Sequence, residues 1–167
     1  LLALLGNEAY LNQKLPLTLP YISIADAPRF GFRSLHMDVA RNFQSKETIK
    51  KTLDIMSHYK LNHFLFYTTE DEGWRVEIPG LPELTEVGAQ REHTQSMDDP
   101  VVHPGYGSGP FAYEEGKNGS GFYTREEFVD ILEYAKARHI TVIPVLNFPG
   151  HARAAIKSME KRYLRLM

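Results

Sequence analysis

The chain has no cysteine, which excludes disulfides, thiol nucleophiles and zinc-thiolate sites while leaving the compartment open, since many exported proteins also lack cysteine. No apolar run approaches the roughly 18 residues needed to cross a bilayer, so no membrane span is expected. LLALLG at the start is too short and lacks the basic flank of a signal peptide. Positive charge is not in excess: 19 Lys and Arg stand against 21 Asp and Glu, a formal net charge of −2. A phosphate-binding surface has nothing to rest on, which argues against nucleic acid as a partner. The seven histidines do not fall at metal-ligand spacing, so neither a metal nor another cofactor is expected, and His93 and His103 are expected to face solvent.

What is present suits a globular core: 167 residues, 43% hydrophobic and 24% charged. LLALLG has no initiator Met and reads as the last turn of an apolar helix stopped by Gly6. HARAAIKSMEKRYLRLM at the other end is helix-competent and carries no stop signal. The expectation is a piece of a longer polypeptide.

Between these ends the pattern alternates. LTLPYISIADAP has room for one short strand before Pro28. Phe32–Val39 predicts a strand with Arg33, Leu35, Met37 and Val39 on one side and Ser34, His36 and Asp38 on the other. Ser45 caps a helix whose apolar positions are Ile49, Leu53, Met56 and Tyr59. Asn62–Thr68 is the second strand. Residues 92–122 are rich in Gly, Pro, His and acids with little periodicity, a length of loop that is usually functional or disordered. Thr124 and Glu127 form a capping box for a helix to about Arg138, with Phe128, Ile131, Leu132 and Ala135 as its apolar face. ITVIPVLN is the third strand, followed by the turn FPGH and a last helix. This order predicts parallel strands with crossover helices, an α/β fold whose site lies at the strand C-terminal ends.

Three polar clusters fall at those ends: Asp38 and Arg41, then Glu70 to Arg75, then Asn147 to His151. The middle one opens Thr69–Arg91, where acids, the single Trp and Pro-Gly punctuation follow a buried strand. Such a segment either lines a site or is a solvated acidic loop. Trp74 suits stacking on a sugar ring and equally suits plugging a core.

At these clusters the sequence resembles the beta-N-acetylhexosaminidases of glycoside hydrolase family 20, in particular the chitobiase branch. PRFGFRSLHMDVARNF is similar to that family's first barrel strand, YKLNHFLFYTTEDEGWRVEIPGLPELTEVGAQR to its second, and RHITVIPVLNFPGHARAAIKSME to its third. The resemblance runs from about Leu19 onward. It implies a TIM (β/α)8 barrel of which residues 19–167 hold about the first three strand-helix units, with residues 1–18 the tail of a smaller preceding α/β domain. A sector of that kind leaves a sheet edge uncovered and is expected neither to fold stably nor to be active alone.

The resemblance also implies removal of terminal N-acetylglucosamine or N-acetylgalactosamine from glycans or chitin oligomers, with retention and with the substrate's own acetamido oxygen as nucleophile. A Glu acid and an orienting Asp after the fourth strand, in an H-x-G-G-D-E setting, carry the chemistry. That sequence does not occur here, so the catalytic pair is expected beyond Met167. Supporting residues remain. Arg33 matches an arginine that forks onto hydroxyls of the terminal sugar, the alternative being an ion pair with Asp38 or another acid. His151 matches a histidine held by an aspartate from the second strand and reaching toward the acid Glu; its alternative is a structural histidine after a turn.

Several positions depart from the family. Leu65 and Tyr67 stand where histidines are usual, Glu70 stands at the first aspartate, and Val145 and Asn147 replace a Glu and an Asp. Glu70 keeps the charge, but its extra methylene is expected to displace the carboxylate beyond the ~0.5 Å tolerance of such sites. Two functional readings follow. One is an active exo-hexosaminidase; the other is a degenerate, non-catalytic member that binds chitin or N-acetylglucosamine glycans, for example in an extracellular matrix. A convergent sugar barrel is a third. The resemblance places the protein outside the cell, with the periplasm or lysosome as alternatives. Asn118-Gly119-Ser120 is a glycosylation sequon, meaningful for a eukaryotic source.

Overall fold

The computed structural model describes residues 21–94, 96, 101–105 and 107–167. The helix expected at LLALLG, and with it the division into residues 1–18 and 19–167, lies outside the described residues. Within them the fold is mixed α/β. Strand β1 (Ser34–Asp38) leads to helix α1 (Lys46–His58), then β2 (His63–Tyr67). A two-residue hairpin follows, β3 (Thr69–Glu70) with β4 (Gly73–Trp74), then a short helix α2 (Glu83–Glu86). Helix α3 (Arg125–Lys136), β5 (Thr141–Val145) and α4 (Arg153–Leu166) complete the order.

The sheet is parallel, in the order β1-β2-β5. Its register sets Leu35, Phe64 and Val142 in one row, Met37, Phe66 and Pro144 in another. Because side chains alternate along each strand, these rows face the helices. Phe64 and Phe66 are fully buried there against Ile49, Leu53 and Met56 of α1 and Ile131 and Ala135 of α3. Each such side chain removed from water contributes about 1.5–3 kcal/mol before entropy is counted. The alternate rows, His36-Leu65-Ile143 and Asp38-Tyr67-Val145, lie on the opposite face.

The helix starts follow their sequence signals. Ser45 accepts a hydrogen bond from the Thr48 N–H at 3.3 Å, and Thr124 and Glu127 form the reciprocal capping box. Lys50 of α1 reaches Asp130 of α3 at 2.7 Å, and this hydrogen bond holds the Asp130 carboxyl below its ordinary range. Two expected core positions are corrected. Tyr59 is the C-cap of α1 and 76% exposed, and Leu132 is 37% exposed, because neither helix is covered on the flank they occupy. No strand forms before Pro28 among the described residues. Thr69–Arg91 holds the hairpin and α2, with Gly88 and Tyr123 supplying backbone partners to Trp74 and Glu77.

Candidate functional site

The C-terminal ends of the three parallel strands share one row, Asp38-Tyr67-Val145, so the three polar clusters meet on a single rim. Beneath that rim lies Arg75, which is completely buried. All five of its N–H groups go to backbone carbonyls: Val39 at 3.1 Å, Ala40 at 2.7 Å, Gly119 at 2.8 Å, and Ala89 and Gly121 at 3.0 Å. Burial, with the charge of Arg91 second, lowers its pKa to about 10, which leaves it cationic at neutral pH. This one side chain ties the end of β1, the segment after α2 and the long loop together. Gly73 passes so close that a Cβ there would lie 2.5 Å from the Ala40 oxygen and 2.7 Å from Arg75 Cζ.

Above the knot the geometry centres on Glu70, 1% exposed. His151 Nδ1 is 2.9 Å from Glu70 Oε1. Because a carboxylate only accepts, Nδ1 carries the proton, on a side chain that is 65% exposed. Arg41 Nη2 and the Tyr67 hydroxyl, at 3.3 Å, donate to the same Oε1, while the Asp71 N–H donates to Oε2. Arg41 also reaches Asp38 at 2.6 Å and Glu72 at 3.7 Å. Burial works against its charge, but these carboxylates outweigh it and raise the guanidinium pKa. Asp71 lies 3.8 Å from His151 Nδ1 and accepts from the Arg153 N–H at 2.9 Å, at the start of α4. His151 has φ of 54°, a left-handed conformation that costs of order 1–3 kcal/mol and is held by these contacts.

The lengthened acid lies within reach of its histidine, with Arg41, the Tyr67 hydroxyl and His151 all on its Oε1. Glu70, Asp71 and His151 present ligand atoms within 4.8 Å of one another. Arg41 already donates to Glu70 and would repel a cation at that oxygen.

Arg33 is not brought to this cluster. It precedes β1, with its Nε on the Lys60 carbonyl at 2.7 Å and Nη1 on the Phe30 carbonyl at 2.5 Å. Five residues of strand separate it from Asp38, about 16 Å. Trp74 is half-buried with its indole N–H on the Val76 carbonyl at 2.6 Å. Asn118 is exposed, while its carbonyl accepts from the Phe43 N–H at 2.8 Å and Ser120 accepts from the Arg91 N–H at 2.9 Å. His93 and His103 are exposed, with His103 Nε2 against Arg153 at 2.5 Å. Sequence reasoning passed over Tyr67, reading it only as a loss, and counted Asn147 in a rim cluster without seeing that the two side chains meet.

Comparison with known proteins agrees with the geometry. The family model for glycosyl hydrolase family 20, catalytic domain, matches residues 30–166. The chain is 53% identical over 150 residues to N,N'-diacetylchitobiase of Vibrio harveyi, covering 90% of this chain and 16% of that protein. It is 52% identical over 150 residues to a beta-hexosaminidase of Vibrio vulnificus, covering 90% and 17%. The solved structure of a GH20 exo beta-N-acetylglucosaminidase from Vibrio harveyi in complex with N-acetylglucosamine superposes with a TM-score of 0.69 at 44% identity, over 81% of this chain and 20% of that one. The chain thus spans about a sixth of the length of these curated relatives. Among the described residues no helix is long and apolar enough to cross a membrane. By family model, sequence identity and superposition, the chain belongs to glycosyl hydrolase family 20, within the catalytic domain of that family of glycosidases.

Proposed function

We propose that the protein carrying this chain removes terminal non-reducing N-acetylhexosamine from chitin oligomers or glycoconjugates, with residues 19–167 forming about the first three units of a (β/α)8 barrel and residues 1–18 the tail of a preceding α/β domain. The observation that supports this reading most is the Glu70–His151 pair, at 2.9 Å, on the rim where parallel strands end. In the proposed reaction the substrate's acetamido oxygen forms a bond to the anomeric carbon as the glycosidic C–O bond breaks. A Glu acid outside this chain gives its proton to the leaving oxygen, and water then opens the cyclic intermediate with retention. Glu70 fixes the tautomer and orientation of His151, so that Nε2 faces that acid. The sugar-hydroxyl role of Arg33 rests on its place in FRSLHMDVAR and requires its guanidinium to leave the Lys60 and Phe30 carbonyls that hold it here. A secreted protein is the location proposed, on the family resemblance alone. Asn118 is accessible to modification there, and Asn118→Gln is expected to change mobility on a gel if the sequon is used.

The test is release of 4-nitrophenol from 4-nitrophenyl N-acetyl-β-glucosaminide by the protein that carries this chain. Turnover supports the reading. No turnover between about pH 4 and pH 8 contradicts it, and chitooligosaccharide binding without hydrolysis would establish the non-catalytic alternative, to which the neutral Val145 and Asn147 point.

A further inference from the structure

Tyr67 ends β2 and Asn147 follows β5, and their side chains meet on the rim beside Glu70. We propose that Tyr67, directed by Asn147, is a positioning residue that keeps the Glu70 carboxylate on His151. This rests on the reading of Glu70 and His151 as the supporting pair.

Proton bookkeeping fixes the direction of the relay. The Asn147 amide Nδ2 lies 2.9 Å from the Thr69 carbonyl, which only accepts, so that atom is the NH2 group and the amide cannot be reversed. Its second N–H points to the Tyr67 oxygen. With that lone pair engaged, the Tyr67 hydroxyl proton is left for Glu70 Oε1, again an obligate acceptor. The anchor is stiff at each step. The Asn147 N–H is itself fixed on Thr69 Oγ1 at 2.9 Å, and the Tyr67 ring is held edge-on by His36 at 5.3 Å.

Arg41 cannot substitute for this strut. It donates to the same Oε1, but it is half-exposed on a flexible stem and is drawn by Asp38 and Glu72 as well. Without the Tyr67 hydroxyl, Oε1 keeps only this mobile partner beside His151, and the three-torsion glutamate side chain has more room to shift off the imidazole. Three positions that depart from the family's usual residues, Tyr67, Glu70 and Asn147, therefore form one hydrogen-bonded set.

An isosteric change isolates the effect. Asn147→Asp keeps size but replaces the donor with an acceptor; it sets a carboxylate against the Thr69 carbonyl and takes the Tyr67 proton away from Glu70. Tyr67→Phe removes the proton altogether. In the protein carrying this chain, each single variant is expected to lower kcat about tenfold with KM within about twofold. The double variant is expected to fall no further than Tyr67→Phe. A readout independent of turnover is the His151 Nδ1–H resonance in protein labelled with 15N-histidine, assigned by its loss in His151→Gln. It is expected to move in both single variants, with the Tyr67→Phe position retained in the double. A resonance unmoved by Tyr67→Phe, additive losses in the double variant, or an Asn147→Asp protein as active as wild type would overturn the relay. A wild-type protein without turnover would remove the proposed reaction, and the resonance alone would then decide the relay.

Discussion

Arg75 and Arg41 meet at the same stretch of backbone, Val39 to Arg41, in opposite surroundings. Arg75 is sealed below the rim with five carbonyl partners and no carboxylate. Arg41, 47% exposed, lies among Asp38, Glu70 and Glu72. A buried guanidinium with all its donors used can only hold backbone together, whereas one among carboxylates at a strand end can hold charges in register while leaving them open to a ligand. The lower region makes the rim rigid and the upper region makes it chemical.

The comparison breaks most visibly if the knot is cut. Arg75→Met takes the guanidinium donors from five carbonyls, of which Ala89 keeps the Gly121 N–H, and is expected to cost about 3–5 kcal/mol or abolish soluble expression, as read by thermal melting. A melting point near wild type would show that the knot is dispensable. Gly73→Ala pushes a methyl group against the Ala40 carbonyl and Arg75 and is expected to cost about 1–3 kcal/mol, again by melting. Arg41→Met tests the other half. It is expected to lower kcat about tenfold while costing less stability than Arg75→Met, since the Asp38 and Glu72 pairs are part-exposed and the buried Glu70 keeps Tyr67, His151 and the Asp71 N–H. Equal losses of stability and activity would erase the distinction between the two arginines.

A smaller effect sharpens the boundary of the knot. Glu83 of α2 is buried against Arg162 and Arg165 of α4. Burial raises its pKa, but the hydrogen bond from its own backbone N–H and the two arginines more than offset this, so the net shift is downward. A folded pKa below the unfolded one means that its contribution is present above the ordinary glutamate range and is lost as pH falls through the folded value. Glu83→Gln should therefore flatten the acid limb of the melting-temperature profile without changing its neutral plateau shape; an unchanged acid limb would show that α4 is held by its apolar face alone.

The layered part of this fold was legible because it is local. Ile49, Leu53 and Met56 repeat at helical spacing and are buried, and the Thr124–Glu127 box forms as its spacing predicts. The rim was legible too, since three polar clusters each followed a strand. Tyr59 and Leu132 misled because periodicity gives a stripe but not how far a neighbour covers it. The Arg75 knot was hidden because its partners are carbonyls 14 to 46 residues away, which leave no mark on side-chain pattern. The partners of Glu70 were hidden for a related reason: Arg41 comes to its Oε1 from 29 residues away and His151 from beyond β5. Tyr67 and Asn147 read as losses only when taken one at a time.

The central claim is that Glu70 supports chemistry through His151 on this rim. Its most direct test is kcat for Glu70→Gln and wild type, side by side on 4-nitrophenyl N-acetyl-β-glucosaminide, in the protein carrying this chain. The account predicts measurable turnover by wild type and a loss of about tenfold or more in the variant at unchanged KM and melting temperature. Equal kcat in the two proteins would contradict it.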